Sequence, residues 1–301
     1  MTYALGRASA SGLKCGKQTM NIPSYDPAAA LEFFRAGGAV EAIPAGRTIF
    51  RESRFGRRLL NGFGRRLLLQ RDKMYLLLKG RVSLVAGRHE LRSVKSGEIF
   101  GEMAALANMP RSATAVAKTP CRVIALDQRQ FRKALARKPA FALMLMKLMV
   151  KRLRETLAHV KAADAFSDDD ALEESAVFNP RLLADTVRGL SDDPPVSFLR
   201  NQVILEEGQL GTRMYVVLEG RVAVTIGKRV VDRIGPGGVL GELALLDQVP
   251  RVASALAEDN VSLQPISRNA FIALINLDPE LGAAMLATLA ERLRYLTGRL
   301  K

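Results

Sequence analysis

Two stretches of the 301-residue chain put a glutamate and an arginine nine positions apart: "GEMAALANMPRSATAVA" at 101–117 and "GELALLDQVPRVASALA" at 241–257. Each reads Gly-Glu-apolar-Ala, five spacer residues, Pro-Arg and then a tail of small residues. The chemistry that fits is capture of a small anion with a hydroxyl beside it. Gly101 and Gly241 let the backbone approach a ligand with no Cβ in the way. The residues after each glycine can form one helical turn whose N–H groups point at an anion. Arg111 and Arg251 supply guanidinium forks for phosphate oxygens. Glu102 and Glu242 would repel a phosphate, so their carboxylates must act elsewhere, and accepting from a sugar hydroxyl is the natural task.

The elements that position these residues come in two copies. At an offset of 140, Met74-Tyr75 aligns with Met214-Tyr215, Gly80-Arg81-Val82 with Gly220-Arg221-Val222, Phe131 with Phe271, and "RLR" at 152–154 with "RLR" at 292–294. Two long copies mean a duplicated domain rather than a solenoid. Within each copy, "MYLLLKGRVSLVAG" and "MYVVLEGRVAVTIG" read as hairpins between β-rich runs. A further strand follows the motif, then helical periodicity over 141–162 and 281–300. The expected class is mainly β with helices (α+β): two β-barrel or jelly-roll domains, each closed by C-terminal helices. The boundaries read as a disordered tail over 1–29, a first domain over 30–163, an acidic linker over 164–179 and a second domain over 180–301. Glu52 matches Glu207 at an offset of 155, which places a 15-residue insertion in the first copy. This basic stretch, near 53–73, contains "FGRRLL" twice.

At this level the two motifs resemble the phosphate-binding cassette of the cyclic nucleotide-binding domain family, which includes the catabolite activator and the regulatory subunit of cAMP-dependent protein kinase. The resemblance rests on "FGEMAALANMPRSAT" and "LGELALLDQVPRVAS" and extends over nearly the whole chain. It implies that Glu102 and Glu242 hold a ribose 2′-OH and that Arg111 and Arg251 hold the cyclic phosphate. Backbone N–H groups near Gly101, Ala104 and Ser112, and near Gly241, Ala244 and Val252, would complete the cradle, with Met103, Ala113, Leu243 and Ala253 also among the expected binding residues. Val94 and Ile234 would lie against the base. The ligand is cAMP, with cGMP left open at the first site: relatives that prefer cGMP usually carry Thr directly after the arginine, where this chain has Ser112 and Val252. Folding of the helix over 141–162 onto the first base, through Leu143, Met146, Met149 and Val150, is the expected output.

Composition limits the alternatives. The chain carries a net +15, but residues 1–163 hold 31 Lys+Arg against 10 Asp+Glu while 164–301 hold 14 against 20. A basic first half suits an acidic partner, nucleic acid or a membrane surface. A fold retained as a non-binding scaffold, or a charge-driven binder, therefore stands as the alternative to a cyclic nucleotide receptor. His89 and His159 are the only histidines, and Cys15 and Cys121 the only cysteines, so no catalytic site or metal site is expected and the setting reads as cytoplasmic. There is no transmembrane run. The sequence stops at Lys301, after the second long helix, which argues against a helix-turn-helix and sequence-specific DNA binding. The stripe Leu281, Met285, Leu289, Leu293, Leu296 and Leu300 suits either a homodimer seam or packing on its own barrel, and a downstream protein partner is expected.

Overall fold

The structure, a computed structural model, describes residues 21–52, 73–87, 89–107, 109–166, 176–178 and 193–299. Most of the basic insertion and most of the acidic linker lie outside the described residues. The expected tail boundary at residue 29 shifts: residues 21–29 are in place, with Ile22 fully buried. Helix α1 (Pro27–Arg35) starts there, capped by the Asp26 carboxylate on the N–H groups of Ala28 and Ala29.

The first half continues with strands β1 (Ala39–Ile43), β2 (Thr48–Phe50), β3 (Lys73–Lys79), β4 (Val82–Ala86), β5 (His89–Val94) and β6 (Ile99–Phe100). Then come the short helix α2 (Glu102–Ala107), strands β7 (Thr114–Ala117) and β8 (Cys121–Asp127), and helices α3 (Gln128–Arg137) and α4 (Ala140–Ala162). The second half repeats the order from strand to helix. It has β9 (Val196–Phe198), β10 (Val203–Leu205), β11 (Arg213–Glu219), β12 (Val222–Ile226), β13 (Arg229–Ile234), β14 (Val239–Leu240), α5 (Glu242–Asp247), β15 (Ser254–Ala257), β16 (Val261–Ser267), α6 (Arg268–Leu277) and α7 (Pro279–Arg299).

Each half is a pair of four-stranded antiparallel sheets, jelly-roll-like rather than a closed barrel. Their orders are β1-β8-β3-β6 with β2-β7-β4-β5, and β9-β16-β11-β14 with β10-β15-β12-β13. Register shifts recur at matching places, Leu84/Val85 and Val224/Thr225 among them. Glu52 and Glu207 make the same contacts, accepting from the N–H groups of Gly87 and Gly227 while their own N–H groups donate to Thr114 and Ser254. The 155-residue offset at these two glutamates therefore matches real equivalence.

Alternating inward side chains fill each sheet pair: Leu77, Val82, Phe100 and Val123 in the first, Val217, Val222, Leu240 and Leu263 in the second. A larger core joins the halves. In it α4 lies along α7, and Phe141, Leu145 and Met149 share one cluster with Leu281, Met285 and Leu289. The leucine stripe of α7 is thus covered from within the chain, by α4; Leu300 lies outside the described residues. Further along the pair, Leu153, Leu157 and Val160 meet Leu293 and Leu296. Among the described residues no single helix is long and apolar enough to cross a membrane.

Candidate functional site

Strands β6 and β14 deliver the two cassette glycines in the left-handed region, with φ +74° at Gly101 and +81° at Gly241. A side chain there is strained, and the space is already taken. A Cβ on Gly101 would lie 2.9 Å from Arg111 Nη1, and one on Gly241 would lie 2.6 Å from Arg251 Nη1. Each arginine is held by two main-chain carbonyls. Arg111 donates to Gly101 (2.8 Å) and Lys73 (2.8 Å); Arg251 donates to Gly241 (3.4 Å) and Arg213 (3.0 Å). What backs the guanidinium differs. The Phe50 ring lies 4.1 Å from Arg111 Cζ, whereas Gly211 closes against Arg251, where a Cβ would come within 2.6 Å of Cζ. The turn around Gly208 also fixes the Arg251 main chain, through Gly208 N–H to the Arg251 carbonyl and Arg251 N–H to the Gln209 carbonyl.

The glutamates are buried, Glu102 at 4% and Glu242 at 2% exposure. Each accepts from an arginine 50 residues on, in its own half's long helix: Arg152 for Glu102 and Arg292 for Glu242. The same arginines donate to the carbonyls of Ile99 (2.9 Å) and Val239 (2.9 Å), just before the cassettes. A carboxylate sealed from water is tolerable only when paired in this way. The expectation that these carboxylates serve a hydroxyl is thus incomplete. One oxygen of each serves an arginine, which also offsets repulsion toward an incoming anion. Arg152 and Arg292 open the repeated "RLR", and their recurrence was the one available signal.

The second site encloses a cavity whose empty space, mouth included, is about 780 Å³. Every candidate residue of that copy lines it: Gly241, Glu242, Leu243, Ala244, Arg251, Val252 and Ala253, with Ile234. Asp232 on β13 and Tyr295 and Leu296 on α7 line it too, none of them expected. So do Leu153 and Leu157, which belong to the first half's α4. In the first copy Gly101, Glu102 and Arg111 repeat the contacts of Gly241, Glu242 and Arg251, while Ser112 Oγ faces Met103 Sδ at 3.7 Å and Val94 is fully buried.

The long helices reach across the halves. From α4, Arg154 Nε lies 2.9 Å from Asp247 at the end of α5 and its Nη1 donates to the Pro250 carbonyl (3.0 Å); Lys161 Nζ reaches Glu207 (2.6 Å). From α7, Arg294 donates to the Pro110 carbonyl. Residues two apart on a helix face different ways. Each "RLR" therefore sends its first arginine to its own cassette and its second to the other one. Leu143, Met146, Met149 and Val150 are locked in the shared core instead of lying open to the first site, because α7 occupies that face. Burial raises the Asp247 carboxyl above the usual carboxylate range, with Arg154 pulling the other way.

A family model, cyclic nucleotide-binding domain, matches residues 68–138 and 195–278. The chain belongs to the cyclic nucleotide-binding domain family. It is similar to the cAMP-dependent protein kinase regulatory subunit of Debaryomyces hansenii, 30% identical over 209 residues, 68% of this chain and 41% of that one. The Yarrowia lipolytica counterpart is 27% identical over 218 residues, 70% and 52% of the two chains. The chain therefore spans about half or less of the length of these relatives. Among solved structures, the Thermus thermophilus catabolite activator protein matches at 30% identity over 40% of this chain and 59% of its own, with a TM-score of 0.35. The Toxoplasma gondii PKA regulatory domain with cAMP matches at 21% identity over 82% and 84%, with a TM-score of 0.27. The protein thus carries two cyclic nucleotide-binding domains in tandem.

Proposed function

We propose that the protein is a two-site, cAMP-preferring cyclic nucleotide receptor with no catalytic activity of its own. The observation that carries this reading is the second cavity, where Arg251 and the buried Glu242 share one largely apolar chamber. Arg111 and Arg251 hold the cyclic phosphate, Glu102 and Glu242 accept from the ribose 2′-OH, and main-chain N–H groups of the cassettes complete the cradle. The ligand sites belong to domains spanning about 30–163 and 180–301. Val252 offers no hydroxyl to a guanine amine, in keeping with cAMP at the second site. The protein works in the cytoplasm as a regulator. The kinase regulatory subunits it resembles point to a protein kinase catalytic chain as its downstream partner.

Output runs through the long helices. A ligand shifts an equilibrium only by binding one state better than another, and the second cavity is walled by α4 of the first domain. Filling it bears on Leu153 and Leu157, and so on how the two halves sit together. Calorimetry with cAMP should give about two equivalents per chain; near-zero stoichiometry with both cAMP and cGMP refutes the reading. Hydrogen exchange with cAMP should rise in protection at both cassettes and over 150–162 of α4. Protection limited to the cassettes would leave the receptor without this output.

A further inference from the structure

The second cavity holds a carboxylate that neither phosphate nor ribose capture explains. Asp232 is 8% exposed and stands two residues before Ile234, on the same face of β13, and both line the chamber. Its Oδ2 lies 3.4 Å from Arg292 Nε, while Oδ1 is buried with no hydrogen-bond partner among the described residues. Burial holds this carboxyl above its usual range, against the pull of Arg292 and the Arg233 backbone N–H. An unpaired buried acceptor is costly, and it is tolerated where a ligand brings the donor.

The first domain has the opposite charge at the same place. Arg92 pairs across from Leu84 as Asp232 pairs across from Val224. Arg92 is already engaged, with Nη2 donating to the Ile99 carbonyl (3.3 Å) and Nη1 at 3.5 Å from Glu98. The two walls are therefore chemically unlike, although the cassettes match.

We propose that Asp232 reads the base at the second site, accepting through Oδ1 from the exocyclic amine of adenine. This rests on the reading of that cavity as a cyclic nucleotide site and deepens it. With Arg251 and Glu242 assigned to phosphate and ribose, and Arg292 held by Glu242, the side chains of Val224, Ile226 and Ile234 give the chamber an apolar wall that suits the faces of a purine. One open oxygen matches one amine N–H. Guanine carries a carbonyl oxygen at position 6, which a carboxylate repels. Its neighbouring N1–H and N2–H donors call for two oxygens side by side, and Oδ2 is committed to Arg292.

The test uses Arg111→Ala protein, in which the first site is blocked, and compares cAMP with cGMP and with purine riboside 3′,5′-cyclic monophosphate, which lacks the amine. With Asp232 intact, cAMP should bind ~10- to 100-fold tighter than the amine-free analogue. Asp232→Ala should erase that difference, and Asp232→Asn, which keeps the shape, should narrow it while improving cGMP relative to cAMP. Equal binding of cAMP and the analogue by the Asp232 protein overturns the inference but leaves the site reading intact. So does undiminished discrimination in both variants. No binding of any of the three overturns the site reading and the inference together.

Discussion

Replacing Arg292 with alanine should lower the stability of the folded protein by about 3–5 kcal/mol, because it strands a buried carboxylate. Glu242 is 2% exposed, and Arg292 is its ion-pair partner. The same guanidinium lies at 3.4 Å from Asp232, so one substitution removes the compensation of two carboxylates. At the size of this chain the loss corresponds to a fall in melting temperature of about 5–15 °C. The control is Glu242→Gln in the Arg292→Ala background. A neutral amide has no charge to strand, so the double variant should regain part of the loss. Thermal denaturation of the three proteins decides it. A melting temperature unchanged in Arg292→Ala would mean that water reaches Glu242, contrary to its burial. No recovery in the double variant would place the loss in the Val239 carbonyl contact or in helix packing.

The repeat made much of this architecture legible. A constant offset over two copies requires each strand, turn and cassette to recur, and the paired sheets do recur, with their register shifts. Glu102, Glu242, Arg111 and Arg251 stood out because a charge beside a glycine turn, repeated at equal spacing, has few structural uses. The arginine partners were harder to see. An arginine 50 residues away in a helix looks like any other helix charge until the helix is docked. The choice of cover was hidden for a related reason. The periodicity of α7 defines an apolar face but not which surface meets it, and both its own sheets and α4 suited that face. Asp232 was masked by strand geometry. It lies between Val231 and the exposed Arg233, so its own neighbours give it no consistent apolar context, and only its alternation with Ile234, the residue expected against the base, places it on the inward face.

Substituting Arg251 with alanine should weaken cAMP at the second site by about 2–5 kcal/mol, ~30-fold or more, and leave the first site measurable. The geometry makes this arginine a prepared phosphate receptor. Two carbonyls, of Gly241 and Arg213, fix the guanidinium before any ligand arrives, and the Gly208 turn fixes its main chain. Little side-chain freedom is then left to lose on binding, so the charge-assisted bonds count nearly in full. Of the carbonyl contacts that Arg251→Ala releases, the one to Arg213 is exposed and the one to Gly241 half-buried, so water can replace the guanidinium and folding should survive with a small loss of stability. Calorimetry should therefore show one tight equivalent of cAMP in place of two, with the mirror result for Arg111→Ala. The cross-domain contacts add a finer expectation. The carbonyl of Pro250, next to Arg251, is held by Arg154 of the other domain, so the remaining site in each variant should differ modestly from its wild-type affinity. Two full-strength equivalents in both variants would mean that the anion is held elsewhere and that the cassette arginines serve only to brace the two carbonyls.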